Sequence, residues 1–167
     1  MSDHYSKLRN FGEVPDEERC SCEDGTPMML VQRLSRNPLA CFVCNGEVEP
    51  SSVSLPLDVV DSVAHWCWIA GAFEALELDS GPYEEFALSQ MLDLKSPLNV
   101  EGLAVRSELD PLRRCYYVLT QRLQDETMDW QIPTECPSCG GDWTKDIRGI
   151  SPKLLCEKCS LVVMNTQ

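Results

Sequence analysis

The pattern of apolar and polar positions divides this chain into three regimes. Residues 1–19 lack periodicity and carry the charged run Asp16, Glu17, Glu18, Arg19, the pattern of a mobile or loosely docked arm. Met28, Met29, Leu30 and Val31 then form a short apolar run that predicts a strand. Leu57 to Leu78 has no internal proline, and Pro56 suits the first turn of a helix. The polar positions of that helix drift around its axis. At about 100° per residue Glu74 lies about 160° from Asp58, so no single wet stripe survives. Val63 to Phe73 is apolar nearly all round, which predicts a central helix packed on several sides.

Further along, Gly81 and Pro82 followed by Glu84 and Glu85 form a second helix start, with acids against the positive helix end. Tyr83, Phe86, Ala87, Gln90 and Met91 share one face of it. Ser96 and Pro97 repeat the device for a third short helix, which should stop before Asp110 and Pro111. Cys115 to Thr120 is β-branched and aromatic and favours a strand over a helix. Leu154 and Leu155 lead into Cys156, and Leu161 to Met164 read as a strand near the C-terminus.

Composition allows a real core, since 43% of the 167 residues are hydrophobic. The polar, charged start of the chain does not read as a secretory signal, and the most apolar stretch is too short to cross a bilayer. A soluble, cytoplasmic protein is the expectation. The formal charge of −13 is unevenly spread. Residues 1–50 have nine acids against five bases, 51–128 have thirteen against five, and 129–167 have five against four. The middle segment therefore carries most of the acidity, and such a surface repels phosphate backbones.

Ten cysteines without a secretory signal point to metal rather than disulfides. Eight fall in close pairs: Cys20/Cys22, Cys41/Cys44, Cys136/Cys139 and Cys156/Cys159. In the C-terminal quartet, Cys136-Pro-Ser-Cys139-Gly-Gly and Cys156-Glu-Lys-Cys159 are separated by sixteen residues, room for a hairpin with Trp143 and Ile150 as its small core. A CxxC turn aims two sulfurs at one metal, and a following glycine permits the tight path that lets amides donate to them. The N-terminal quartet has eighteen residues between Cys20-Ser-Cys22 and Cys41-Phe-Val-Cys44-Asn-Gly46. Its CxC is a tighter and rarer chelate. A cross-braced arrangement is disfavoured, because closing a loop of more than ninety residues costs more entropy than closing each short module. Four protein ligands leave no open position, so the two expected Zn²⁺ ions are structural and replace the core that modules of about thirty residues lack.

The predicted architecture is α+β, with two four-cysteine zinc-ribbon modules flanking a mainly helical central domain. The expected segments are an arm at 1–19, a ribbon at 20–53, a helical acidic domain at 54–128 and a second ribbon at 129–167. Other chemistry is sparse. His65 and Cys67 point about 160° apart on a helix and are poor partners for a base and nucleophile. Cys67 and Cys115 read as core, Trp66 and Trp68 as core or interface anchors, and the acidic residues as a solvated face.

With those residues assembled, the stretches Asp79-Ser-Gly-Pro-Tyr-Glu-Glu-Phe-Ala87, Ser96-Pro-Leu-Asn99 with Gly102, Arg114-Cys-Tyr-Tyr117 and Cys136-Pro-Ser-Cys-Gly-Gly-Asp-Trp143 resemble a family of bacterial double zinc-ribbon proteins of unknown function, described only as candidate nucleic-acid binders. The resemblance would cover most of the chain from Cys20 onward. It implies nucleic acid as a partner, yet the second ribbon offers only Lys145, Arg148, Lys153 and Lys158 against five acids. The charge balance favours instead a non-enzymatic adaptor or regulator that binds a protein partner, with an acidic immunity-type inhibitor of a basic toxin as its specific form. A nucleic-acid-binding regulator acting through the C-terminal ribbon is the alternative.

Overall fold

In the computed structural model, the described residues are 3–9, 15–33, 37–119, 134–146 and 153–164. They form a mixed α+β structure around one six-stranded sheet. Its strands are β1 (Met28–Leu30), β2 (Leu39–Cys41), β3 (Cys115–Val118), β4 (Thr144–Asp146), β5 (Lys153–Cys156) and β6 (Leu161–Met164), in spatial order β2-β1-β3-β6-β5-β4. The outer hairpins β1–β2 and β4–β5–β6 are antiparallel, and β3 joins them by pairing parallel to both β1 and β6. Segments read in the sequence as two ribbons and a middle region thus contribute to one continuous sheet.

Both faces of this sheet are buried except along the edge strand β4, whose Thr144 and Lys145 are exposed. Met28, Leu30, Leu39, Cys41, Cys115, Tyr117 and Leu161 face one cluster with the helices, while Met29, Ala40, Phe42, Tyr116, Val118, Leu155 and Val162 face another. That double burial explains why the strands read as unbroken apolar runs rather than alternating ones. A flat sheet would hold β2 and β5, four strands apart, about 19 Å from each other. The Lys153 ammonium nevertheless lies 5.3 Å from the ring centroid of Phe42, next to β2, so the sheet curves toward its second face.

The crossover from β2 to β3 carries the helices α1 (Pro50–Val53), α2 (Leu57–Asp79), α3 (Glu84–Leu92) and α4 (Pro97–Leu109). α1 was not anticipated. It starts like α4, with proline in its first turn and a side-chain cap, the Glu49 carboxylate accepting from the Ser51 amide. Ser96 caps α4 by accepting from the Asn99 amide, and Asp110 ends it, close to the boundaries expected from Ser96-Pro97 and Asp110-Pro111.

Two expectations need correction. The central helix is packed on one side and open on the other: Val59, Val60, Val63, Trp66 and Ala70 are buried, whereas Trp68 is 72% exposed. Small residues at Gly71, Ala72 and Ala75 line that outer face, where little apolar area is at stake. The N-terminal stretch, expected as an arm, is docked over residues 3–9. A 3-10 turn at His4–Leu8 buries Leu8 completely in the main core, and Lys7 and Arg9 pair with Asp61 and Glu49. One apolar anchor within a charged segment was enough to hold it. No described helix is long and apolar enough to cross a membrane.

The motifs of the middle segment turn out to be packing devices. Buried Asn99 accepts from the Tyr117 hydroxyl at 2.7 Å and donates to the carbonyls of Gln90, Met91 and Asp93 at 2.9–3.1 Å, tying the end of α3 to α4 and β3. Gly102 lets Trp66 and Tyr117 approach: a Cβ there would meet Tyr117 Cε2 at 2.4 Å and Trp66 Nε1 at 2.6 Å. Likewise Glu84 accepts from the Gly81 amide at 3.0 Å and fixes the start of α3.

Candidate metal centres

Each cysteine quartet follows one local plan, a knuckle, two antiparallel strands and a second knuckle. β1 and β2 separate Cys20/Cys22 from Cys41/Cys44, and β4 and β5 separate Cys136/Cys139 from Cys156/Cys159. The chain brings both sets together. In each, the four Sγ atoms lie within 4.8 Å of one another. Cys139 and Cys156 Sγ are 3.7 Å apart, close to the ~3.8 Å edge of a tetrahedron with Zn–S bonds of about 2.3 Å and far beyond a disulfide bond. None of the ten cysteines is disulfide-bonded. The four-sulfur donor sets and their spacing fit one Zn²⁺ apiece, and Cys67 and Cys115 belong to neither.

The knuckle geometry repeats in detail. The Asn45 amide donates to Cys41 O and the Cys41 amide to Gly46 O; at the other site Gly140 donates to Cys136 O and Cys136 to Gly141 O, all at 2.8–3.0 Å. The residue after the second cysteine turns left-handed in each case, with φ of 58° at Asn45, 66° at Gly140 and 52° at Ser160. Asparagine and glycine tolerate this conformation, which swings the next amide toward the sulfur. At the N-terminal site the Gly46 amide reaches Cys44 Sγ at 3.4 Å.

These amides polarise the sulfur clusters. The Gly141 amide, with the Cys159 thiol, draws Cys139 down to about 7. Burial raises Cys44, but the Gly46 amide and the Cys41, Cys20 and Cys22 thiols outweigh it and leave Cys44 lowered. Burial and the neighbouring sulfurs push Cys20 up to about 12, Cys22 to about 11 and Cys156 to about 12. Such a cluster ionises one thiol readily and resists ionising all four. A divalent cation supplies the missing positive charge, so metal binding and thiol deprotonation go together.

Basic groups outside the quartets face both sites, and none was evident from spacing. The Arg33 guanidinium donates to Asn45 O in the N-terminal knuckle. Arg114 bonds Asp110 and Glu157 and lies 4.8 Å over the Tyr116 ring, and the Tyr116 hydroxyl donates to the same Glu157. Because Glu157 stands between Cys156 and Cys159, this contact fastens the last knuckle to β3. Lys153 is 2% exposed, against Phe42 of the other knuckle.

That burial removes Lys153 from the basic set on which the nucleic-acid reading of the C-terminal ribbon drew. Lys145 and Lys158 are exposed, Lys153 faces inward, and Arg148 lies outside the described residues, as does Ile150 of the expected hairpin core. Trp143, the other half of that expected core, packs half-buried on the main cluster. His65 is exposed and lies 3.5 Å from Glu101, apart from both quartets.

No family model, curated protein or solved structure matches the chain. The two four-cysteine sets, each of which can hold a metal ion, are consistent with zinc-ribbon-like modules.

Proposed function

We propose that the protein is a non-enzymatic, zinc-structured adaptor that binds a protein partner through the outer face of α2. The observation that carries this reading is an open groove of about 740 Å³ floored by Ala64, Gly71, Ala72 and Ala75, with Trp68 and Leu78 on it. Leu78 is 62% exposed and Trp68 72%. A large aromatic standing beside small residues is what a helix-sized apolar anchor requires.

Charge selects the partner. α2 contains Asp58, Asp61, Glu74, Glu77 and Asp79 and no lysine or arginine. Of these, Glu74 lines the groove and accepts from Gln32, beside Lys7, which pairs with Asp61, and Arg33, which donates to Asn45 O. The net charge of −13 of the whole protein favours a basic partner, and an immunity-type inhibitor of a basic toxin is the specific form of the proposal. The closed four-sulfur sites support a scaffold role for zinc rather than chemistry.

The test is affinity capture from the native lysate with wild-type protein, Trp68→Glu and Leu78→Glu, each with and without nuclease. A nuclease-resistant protein retained by the wild type and lost by both variants is expected. Nucleic acid recovered equally by all three, with co-purifying proteins lost on nuclease treatment, overturns the reading. Charge reversal is best made at Glu85, since Glu84 also caps α3.

A further inference from the structure

Lys153 is placed where an ordinary surface lysine of a hairpin would not be. It sits in β5 three residues before the ligand Cys156, yet it is 2% exposed, and its ammonium lies 5.3 Å from the centroid of Phe42. Phe42 is the residue between Cys41 and Cys44 of the other quartet. A lysine is seldom buried without anionic or aromatic partners. Here burial lowers its pKa, while the Asp146 carboxylate and then the sulfurs of Cys41 and Cys44 favour the charged form. Asp146 is its cross-strand neighbour on β4 and is itself buried.

A zinc ion with four thiolates carries two net negative charges, more than one aspartate. Two basic groups interact with the N-terminal sulfurs from outside the knuckles. Arg33, beside Glu47, Glu18 and Cys44, comes from the end of β1, within the same module. Lys153 comes from the other one. Its position depends on β5, whose C-terminal end is Cys156 and whose partner β6 follows Cys159.

We propose that Lys153 is the buried counter-charge of the N-terminal metal site, contributed by the C-terminal module, so that the two sites do not hold their metal independently. This rests on both quartets binding zinc, which a count of two zinc ions in the wild-type protein checks separately. Assembly of the C-terminal site orders β5 and β6, and β5 carries the lysine across the curved sheet to the Cys41–Cys44 knuckle. The N-terminal site, whose CxC pair is the tighter and less common chelate, thereby gains a buried positive charge in addition to that of Arg33.

The experiment removes zinc stepwise with a chelator from the wild type, Lys153→Met, Lys153→Arg and Asp146→Asn. Native mass spectrometry counts the ions, and differential alkylation reads which quartet has opened. For Lys153→Met, N-terminal zinc should be lost at about 10- to 100-fold lower chelator concentration, the usual effect of losing a group just outside a metal's ligands. The C-terminal quartet should keep wild-type resistance, and Lys153→Arg should restore most of the loss. Asp146→Asn should leave N-terminal zinc in place, because it spares the positive charge. Unchanged N-terminal affinity in Lys153→Met overturns the proposal. So does a matching loss in Asp146→Asn, which would make the lysine a partner of Asp146 alone, or equal loss at both quartets, which would mark a general folding defect.

Discussion

Gly46 offers a sharp test of how the N-terminal quartet is held. A Cβ at this position would lie 2.8 Å from Arg19 C, 2.8 Å from Cys20 N and 2.9 Å from Arg19 O, all backbone atoms that no rotamer change can move aside. The crowding arises because the segment bearing Cys20 crosses the knuckle here: the Cys20 amide donates to Glu47 O at 2.8 Å and the Glu47 amide to Glu18 O at 2.7 Å. Gly46→Ala must part these two chains. The two backbone hydrogen bonds contribute about 1 kcal/mol each, and overpacking costs about 1–3 kcal/mol, so the N-terminal site should weaken by roughly 3 kcal/mol, on the order of 100-fold in zinc affinity. Gly141 occupies the matching place in the C-terminal knuckle, but its Cβ would meet only Cys139 Sγ, at 3.4 Å. Gly141→Ala should therefore change zinc affinity less than about tenfold. Chelator competition with ion counting by native mass spectrometry reads both variants. The reasoning fails if Gly46→Ala keeps wild-type affinity at Cys20, Cys22, Cys41 and Cys44, or if the two alanines cost the same.

The buried Asn99 network and the lone cysteines supply two more expectations. Asn99→Ala should destabilise the zinc-loaded protein by about 3 kcal/mol in urea, since it orphans carbonyls at the end of α3 and the Tyr117 hydroxyl, whereas Tyr117→Phe should cost about 1–2 kcal/mol. The double variant should recover about 1 kcal/mol relative to the sum, and strict additivity would refute a direct bond between them. Burial, with Glu74 adding to it, pushes the Cys67 thiol up to about 11, and burial pushes Cys115 to about 12. Because the thiolate is the nucleophile and forms only as pH rises toward those values, alkylation of Cys67 at about pH 8 should run on the order of 100-fold slower than that of a free cysteine, and that of Cys115 about tenfold slower again. Cys67, on the open groove, should react first as pH rises, and rapid labelling at neutral pH would contradict its environment.

Local chemistry was legible in the residue order. Cysteine spacing announced two four-sulfur sets, because a knuckle is built within a few residues and needs only a turn to aim its sulfurs. Pro56, Pro82 with Glu84, and Ser96 with Pro97 marked three helix starts for the same reason, since capping is a short-range matter of φ and hydrogen bonding. Apolar runs at Met28, Cys115 and Leu161 marked strands, although a run buried on both faces cannot say which strands it will join.

What required the tertiary structure was everything that acts between distant segments. β3 could join the two cysteine hairpins into one sheet only because its parallel pairings reach across crossovers, and no local signal records those partners. The same holds for Asn99 with Tyr117, Arg114 with Glu157, and Lys153 with Phe42, pairs separated by eighteen to more than a hundred residues. Trp68 shows the limit most plainly: helical periodicity put it on an apolar helix, but only the absence of a described neighbour over the outer face of α2 left it exposed. The residue order determined which groups can bind metal and begin helices, since those choices are made within one turn of chain. The fold decided which charges sit outside each metal site and which apolar face stays open, because burial is a property of the assembled layers and not of any segment alone.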